Sequence, residues 1–570
     1  MTRIGARLGA FARLEAYLGS PHDVHGPASF ARALDADERE ALPDEACNAL
    51  ERWGLPRYFV PEQLGGKLTS FDELGWLWLS IARRDLTAAV TQIITFIAAL
   101  PVWVAGDMAQ QRRIADAILR GDPLSFALTE RAHGSDLLAS ESWARPERNG
   151  FVLSGEKWLI GNGSRSRALT MFARTEERDG PAAFSMFYVE KERLAAETWQ
   201  ALPRERTLGL RGMDLSGVRF KQARLCGDAL LGYRGHGLED VLHAQQVART
   251  VICALSLGAL DSALRSAVEF GEGRYLYGRK LLDMTHPRAI LGEAFATQLV
   301  CECLLLSALR GIHAAPQQLS LRSAAAKAFL PPRADDAIRR CASVLGARYF
   351  LRGDERFGMF QKIVRDHGVL SIVESSTMVN LSAVAAQLAT LSRARRNNAS
   401  PGDLARRMRA TFDPDAPLPA FDLRALRLLP REGDDLAAAL PAAIQRIEAC
   451  DTTRETARRI VALGHTLLHE FELVEARASL ERTPSAAIAE QYVVLHAAAA
   501  CLHAWVERRE TGTVFAGGAW LVVALNQLLG SLGVLTPEGV QPWREEIVED
   551  LRARCRKGRL LATVDVNVDR

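Results

Sequence analysis

Between residues 70 and 106 (SFDELGWLWLSIARRDLTAAVTQIITFIAALPVWVAG) apolar residues recur at spacings of three and four. That period predicts buried helices. Residues 1–123 read as one helical domain, interrupted at 59–66 by FVPEQLGG, a loop with Pro61 and a glycine pair. From 124 to 235 the period changes. SFALT, GFVLSGEKWLI, ALTMFART, AAFSMFYVE and GVRFKQARL are short, β-branched or aromatic, and separated by turns. They predict a middle antiparallel β domain. Residues 236–390 return to long helical runs such as HAQQVARTVICALSLGALDSALRSAVEF. The Pro- and Asp-rich ATFDPDAPLPAFD (410–422) marks a linker placed at 391–424, and 425–570 reads as a helical extension. The expected class is α+β, mostly helical. No fixed-period repeat is visible.

At 570 residues the chain exceeds one ordinary domain. Hydrophobic residues at 48% and charged residues at 24% fit a soluble globular protein. The 71 basic and 68 acidic residues nearly cancel, so nucleic acid is not an expected partner. Nine cysteines without a CxxC pair read as buried apolar residues of a reducing, cytoplasmic compartment, with no metal site expected. The N-terminus shows no apolar run of the secretory type. Residues 514–535 (VFAGGAWLVVALNQLLGSLGVL) carry no charge. Four glycines, Asn526 and Gln527 favour a buried helix pair over a weak membrane-surface contact.

Two segments carry the chemistry. Residues 126–136 (FALTERAHGSD) run from an apolar strand into Thr129, Glu130 and Gly134-Ser135-Asp136. Residues 152–163 (VLSGEKWLIGNG) read as a strand, a turn at Ser154-Gly155-Glu156, a second strand and a stop at Asn162-Gly163. Small and hydroxylated residues at turns let a backbone approach a planar, polar-edged ligand. In order and separation this pair resembles the flavin-binding middle domain of the acyl-CoA dehydrogenases. The resemblance covers about residues 40–385, where it implies that the third domain is a four-helix bundle. In length and helical character the extension resembles that of the very-long-chain acyl-CoA dehydrogenases, which implies a homo-oligomer with a dimer favoured.

The resemblance implies FAD and the conversion of an acyl thioester to its trans-2-enoyl product. A carboxylate takes the α-proton and hydride leaves for flavin N5. The acyl carrier would be coenzyme A or an acyl-carrier protein, in lipid or polyketide metabolism, and the electron acceptor a flavoprotein or oxygen. In RDHGVLSIVESST (365–377) Glu374 falls at the base position, beside apolar Ile372 and Val373 that would raise its pKa. Ser375 stands where the family has glycine, at the substrate carbonyl, and Ser376 where it has a flavin-contacting threonine. Phe126, Leu128 and Thr129 would line the flavin ring. Gly134 and Ser135 would meet its pyrophosphate, with Ser135 also on the thioester side. Leu159, Ile160 and Gly161 occupy the family's Trp-Ile-Thr/Ser positions, so an aromatic and a hydroxyl are lost. Arg274 and Tyr277, in FGEGRYLYGRK (270–280), would reach the flavin of a neighbouring subunit, and Gly346, in the reduced Gly-Gly turn Leu345-Gly346-Ala347, would lie at the flavin's adenine end. Arg249 matches an arginine near the thioester. HAQQVART (243–250) offers no alternative carboxylate base. The departures at 159, 161 and 375 keep a flavin-dependent monooxygenase or oxidase, or a catalytically altered flavoprotein, as the alternatives.

Overall fold

The computed structural model describes residues 3–354, 356–394, 400–430, 433–450, 454–481, 484–508, 514–536 and 539–568. Six helices come first: α1 (Arg3–Leu18), α2 (Phe30–Glu38), α3 (Asp44–Trp53), α4 (Phe71–Ala82), α5 (Leu86–Ala105) and α6 (Met108–Leu119). Asp85 caps α5 through the Thr87 N–H, and Asp107 closes a reciprocal capping box with Gln110 on α6. FVPEQLGG between α3 and α4 forms a short 3-10 turn (Glu62–Leu64) rather than a plain loop.

Eight strands follow: β1 (Leu124–Ala127), β2 (Trp143–Glu147), β3 (Gly150–Gly161), β4 (Ala168–Arg174), β5 (Phe184–Glu190), β6 (Trp199–Leu202), β7 (Leu215–Cys226) and β8 (Leu230–Leu231). They form one sheet in the order β6-β7-β3-β2-β4-β5-β8, with β1 against β4. The sheet is mixed, which corrects the expected antiparallel domain. β1 runs parallel to β4, Leu124 opposite Ala168 and Ala127 opposite Met171. β2 also runs parallel to β4, with Trp143 opposite Arg174, so the chain enters β2 in the direction of β1, reverses in β3 and turns again into β4. One sheet face joins the helical core. The other buries its own cluster around Phe151, Leu153, Ile160, Phe187 and Val218.

The chain then forms α7 (Gly237–Gly273), the small hairpin β9 (Tyr275–Leu276) and β10 (Arg279–Lys280), α8 (Thr285–Ala314), α9 (Leu319–Leu345), α10 (Met359–His367) and α11 (Thr377–Ala394). α7 is buried on all sides from Gln246 to Leu264 and sits between α9, α4, α5 and α8. Pro331 and Pro332 inside α9 leave the carbonyls of Lys327 and Ala328 without their helical donors.

The expected linker at 391–424 instead holds a helix, α12 (Pro401–Phe412), in the part of it that is described; residues 395–399 lie outside the described residues. Ser400 caps α12, Pro401 opens it, and Met408, Thr411 and Phe412 are buried. The proline-rich composition that suggested a linker begins only after that helix. Beyond it come α13 (Asp435–Cys450), α14 (Glu455–Leu480), α15 (Ala486–Arg508), α16 (Val514–Gly517), α17 (Ala519–Ser531) and α18 (Gln541–Lys557). The uncharged segment is therefore a helix pair, α16–α17, and its Trp520, Leu521 and Leu525 are buried. A single hydrophobic core runs from α1 through the bundle into this extension. After α18 the chain returns to the bundle. There the Leu561 N–H donates to Asp261 of α7 (2.9 Å), and Thr563 donates from N–H (2.7 Å) and hydroxyl to the buried Glu302 of α8.

Candidate functional site

Strand β3 is continuous where a turn was expected. Two register shifts against β7, at Leu153/Gly155 and Trp158/Ile160, show why. The first is a bulge at Gly155, at φ +140°, and a Cβ there would lie within 2.8 Å of Ser142. The second puts Leu159 at φ +59° with 40% of its surface exposed. A branched residue in the left-handed region is strained, and such strain clusters at ligand sites. Trp158, one place earlier, is anchored by two charged neighbours. Its Nε1–H donates to Glu205 (2.7 Å), and the Arg131 guanidinium stacks on its ring at 4.5 Å. Ile160 points into the sheet's own core, so only its backbone can serve a ligand.

The loop after β1 is fixed by two residues that sequence reading passed over. Lys157 is fully buried. Its ammonium donates to the Leu128 carbonyl (2.9 Å), to Glu130 (2.7 Å) and to Ser140 Oγ (2.9 Å). Glu130 also accepts from Ser140 Oγ (2.5 Å) and from the N–H groups of Glu141 (2.7 Å) and Ser142 (3.0 Å). Burial alone would raise the Glu130 pKa; the ammonium and these bonds hold it down to about 2. The signal was the Glu-Lys pair inside the two singled-out segments. The Trp158 N–H donates to the Thr129 carbonyl (3.0 Å), so the segments meet directly. Phe126 and Leu128 are buried beneath the loop and Thr129 is half-buried. Gly134 and Ser135 are exposed, and nothing lies within 4 Å of a Cβ placed on Gly134. Exposed backbone beside small residues fits the pyrophosphate of a dinucleotide.

Gly161 has a packing reason for lacking a side chain. A Cβ there would lie 2.9 Å from Ile94 of α5 and 3.0 Å from the methyl of Met213. Restoring the hydroxyl by Gly161→Thr is expected to force these neighbours apart and cost about 1–3 kcal/mol. Thermal unfolding of the purified variant checks this, and a midpoint unchanged from wild type sinks it.

Met213 belongs to a second missed element, TLGLRGMD (207–214). At one end the Asn162 N–H donates to the Asp214 carbonyl (2.8 Å). At the other the Leu210 N–H donates to Asp366 of α10 (2.7 Å). Asp366 and Asp85 share the buried Lys362 ammonium at 2.5 and 2.7 Å. The loop therefore ties the end of β3 to α10, the helix that leads to Glu374.

Glu374 and Ser375 both occupy the left-handed region, at φ +53° and +82°. Glu374 is half-buried. Burial raises its carboxyl to about 7, against the pull of the nearby Lys327 ammonium. Ile372 does not contribute as expected: it is 68% exposed, while Val373 packs on the core. The Lys327 ammonium donates to the carbonyls of Leu370 (2.7 Å) and Ser375 (3.1 Å). Ser376 Oγ accepts from the Val379 N–H (3.4 Å) at the start of α11. Asn380 donates to the carbonyls of Ser375 (3.1 Å) and Ser376 (2.8 Å) and accepts from Arg249 (3.1 Å). Arg249 is buried. Its Nε donates to Ser323 Oγ (3.0 Å), and among the described residues it forms no ion pair with a carboxylate. Burial lowers its pKa to about 10, which leaves it charged at neutral pH.

Structure thus brings Arg249, Glu374, Ser375 and Ser376 into one cluster, and the two β-domain segments into another. Arg274, Tyr277 and Gly346 join neither by direct contact. Tyr277 is 96% exposed at the β9–β10 turn, Arg274 is exposed at the end of α7, and Gly346 ends α9 at φ +56°. The described residues contain no group of three or more metal-ligating side chains.

The sequence matches the family model of the acyl-CoA dehydrogenase middle domain over residues 125–223 and that of the acyl-CoA dehydrogenase C-terminal domain over 235–389. A relative in Mycobacterium tuberculosis, described as the probable acyl-CoA dehydrogenase FadE25, is 24% identical over 348 residues, 61% of this chain and 88% of the relative. The solved acyl-CoA dehydrogenase of Bacillus anthracis, complexed with FAD, aligns over 97% of this chain and 95% of its own at 16% identity, with a TM-score of 0.70. The prolyl acyl carrier protein oxidase AnaB covers 66% of this chain and 96% of its own at 15% identity, with a TM-score of 0.59.

Proposed function

Because the chain belongs to the acyl-CoA dehydrogenase family, whose members are flavin oxidoreductases using FAD, we propose that it removes two hydrogens from the α and β carbons of an acyl thioester. The observation that carries this reading is Glu374, a half-buried carboxyl with a pKa raised to about 7. Such a group is ionised often enough at neutral pH to accept a proton, and basic enough to hold it. FAD, when bound, supplies the hydride acceptor. Glu374 takes the α-proton. Arg249, Ser375 and the exposed Ser135 are the chain's proposed polar groups toward the thioester. The carrier is coenzyme A or an acyl-carrier protein.

The test is anaerobic mixing of the FAD-loaded protein with a panel of thioesters from butyryl to stearoyl, on both carriers. Flavin bleaching and a product two hydrogens lighter are expected. Because Glu374 must be ionised, kcat/KM should rise with pH and level off above about 7. A flavin that stays yellow with every thioester rejects the reading.

A second reading, oxygen as the electron acceptor, is favoured by Gly161. Its backbone presents no hydroxyl, and Ile94 fills the space where one would stand. Incorporation of labelled oxygen into the product, or peroxide released at the rate of turnover in air, separates this from dehydrogenation with a protein acceptor.

A further inference from the structure

Lys327 is an ammonium without exposed surface, on the helix that faces the base segment. A buried cation is retained only where it is paired or hydrogen-bonded. Its two carbonyl acceptors, Leu370 and Ser375, bracket Glu374 in the chain. Ser375's carbonyl takes a second donor from Asn380 of α11. Donors from α9 and α11 therefore grip a segment whose two central non-glycine residues sit at positive φ. Left-handed backbone of this kind persists only where its surroundings over-determine it.

The charges around the segment have one sign. Arg249 and the Cys253 thiol face Lys327 from α7. On α10 the titratable groups are engaged elsewhere, Asp366 with Lys362 and His367 with Asp335. On α11 no charged residue precedes Arg393. Glu374 is the carboxylate that acts on Lys327, and Lys327 the cation that acts on Glu374.

The geometry points to Lys327 as a positioning residue for the proton-abstracting base: it clamps the segment 370–376 through two carbonyls and holds the Glu374 carboxylate ionised by its charge. The inference rests on the reading of Glu374 as the base. Lys327 itself touches neither acyl chain nor cofactor in this role. Its hydrogen bonds fix where the carboxylate stands, and its charge fixes the pH at which the carboxylate becomes available.

Two substitutions separate these contributions. Lys327→Gln keeps donors for the carbonyls and removes the charge; Lys327→Met removes both. In the holoenzyme, deuterium entry from D2O at the α carbon of the best thioester in the panel reads proton abstraction alone. A neighbouring opposite charge moves a carboxyl by about 1–3 pH units, so the acid limb of the exchange profile should move up by at least about one unit in both variants. At alkaline pH Lys327→Gln should return to within a few-fold of wild type, and Lys327→Met should stay at least tenfold slower. A merely structural lysine would lower exchange without moving the limb. A second readout needs no substrate: a double-mutant cycle of Lys327→Gln and Glu374→Gln on thermal unfolding, at pH 6 and pH 7.5. Burial lowers the Lys327 ammonium to about 8, so coupling at pH 7.5, where both groups carry charge, that fades at pH 6 is expected. Should no thioester support exchange, the functional reading fails, and the cycle still decides the role of Lys327. An unmoved acid limb, or a coupling that is absent or independent of pH, overturns the inference.

Discussion

Replacing Glu374 by glutamine slows thioester-driven flavin bleaching by roughly 10²- to 10⁴-fold, the span over which a positioned general base contributes, and leaves FAD bound. A glutamine in this place keeps the volume and one acceptor oxygen of the carboxylate. It cannot hold a proton. Few other groups could substitute, because Lys327 and Arg249 are cations and the HAQQVART stretch of α7 carries no carboxylate. The same variant has a stability signature. The folded carboxyl is raised from 4.5 to about 7, so the fold favours its neutral form. That contribution is complete below about pH 4.5 and is lost as pH rises through 7. The glutamine variant has no such loss, so its thermal midpoint gains on wild type between pH 5 and pH 8. Stopped-flow absorbance gives the rate, and calorimetry across that range gives the midpoint. A bleaching rate within tenfold of wild type removes Glu374 from the base position.

The second large effect belongs to Lys157→Met. Methionine fills the volume of the aliphatic stem but leaves Glu130 without its cation, next to the carbonyl of Leu128. Removing one partner of a buried pair typically costs about 3–5 kcal/mol, because the remaining charge is uncompensated. Here the damage is local to the loop 129–142, which the pair anchors at Leu128, Ser140, Glu141 and Ser142. The expected outcome is a folded protein that is purified with little flavin and a lowered unfolding midpoint. Far-ultraviolet circular dichroism, the absorbance ratio at 450 and 280 nm and a thermal scan read these three quantities. Full flavin occupancy with an unchanged midpoint contradicts the assignment. Glu130→Gln should be milder, since it removes the charge but keeps an acceptor for the same donors.

The domain order could be read from the chain because the change from a period of three to four residues to short β-branched segments is abrupt near Pro123. Sheet direction could not. Whether β1 runs with or against β4 depends on the path of the chain between them, and no local pattern encodes that path. A similar limit misplaced the turn in VLSGEKWLIGNG. Gly155 at φ +140° is compatible with a turn or with a bulge, and the close approach that goes with the bulge comes from Ser142, just before the neighbouring strand β2. Glu374 was legible as a carboxylate at the right distance from Arg365-Asp366. The source of its raised pKa was not, since burial is contributed by helices remote in sequence and Ile372 faces solvent. Gly161 was legible as a departure from the family pattern. Its cause, the arrival of Ile94 from α5, appears only in three dimensions.

The return of the chain to the bundle after α18 imposes an order on synthesis. Glu302 is buried on α8, and the N–H and hydroxyl that accommodate it come from Thr563. These two residues are 261 positions apart. At about 5–20 residues per second a ribosome takes roughly 13–50 s to cover that stretch. Through that interval the nascent bundle carries a carboxylate destined for its interior with its native donors still unmade. The flavin-domain sheet and α7 can be complete well before then; the seam between α8 and the extension closes only when Thr563 has emerged.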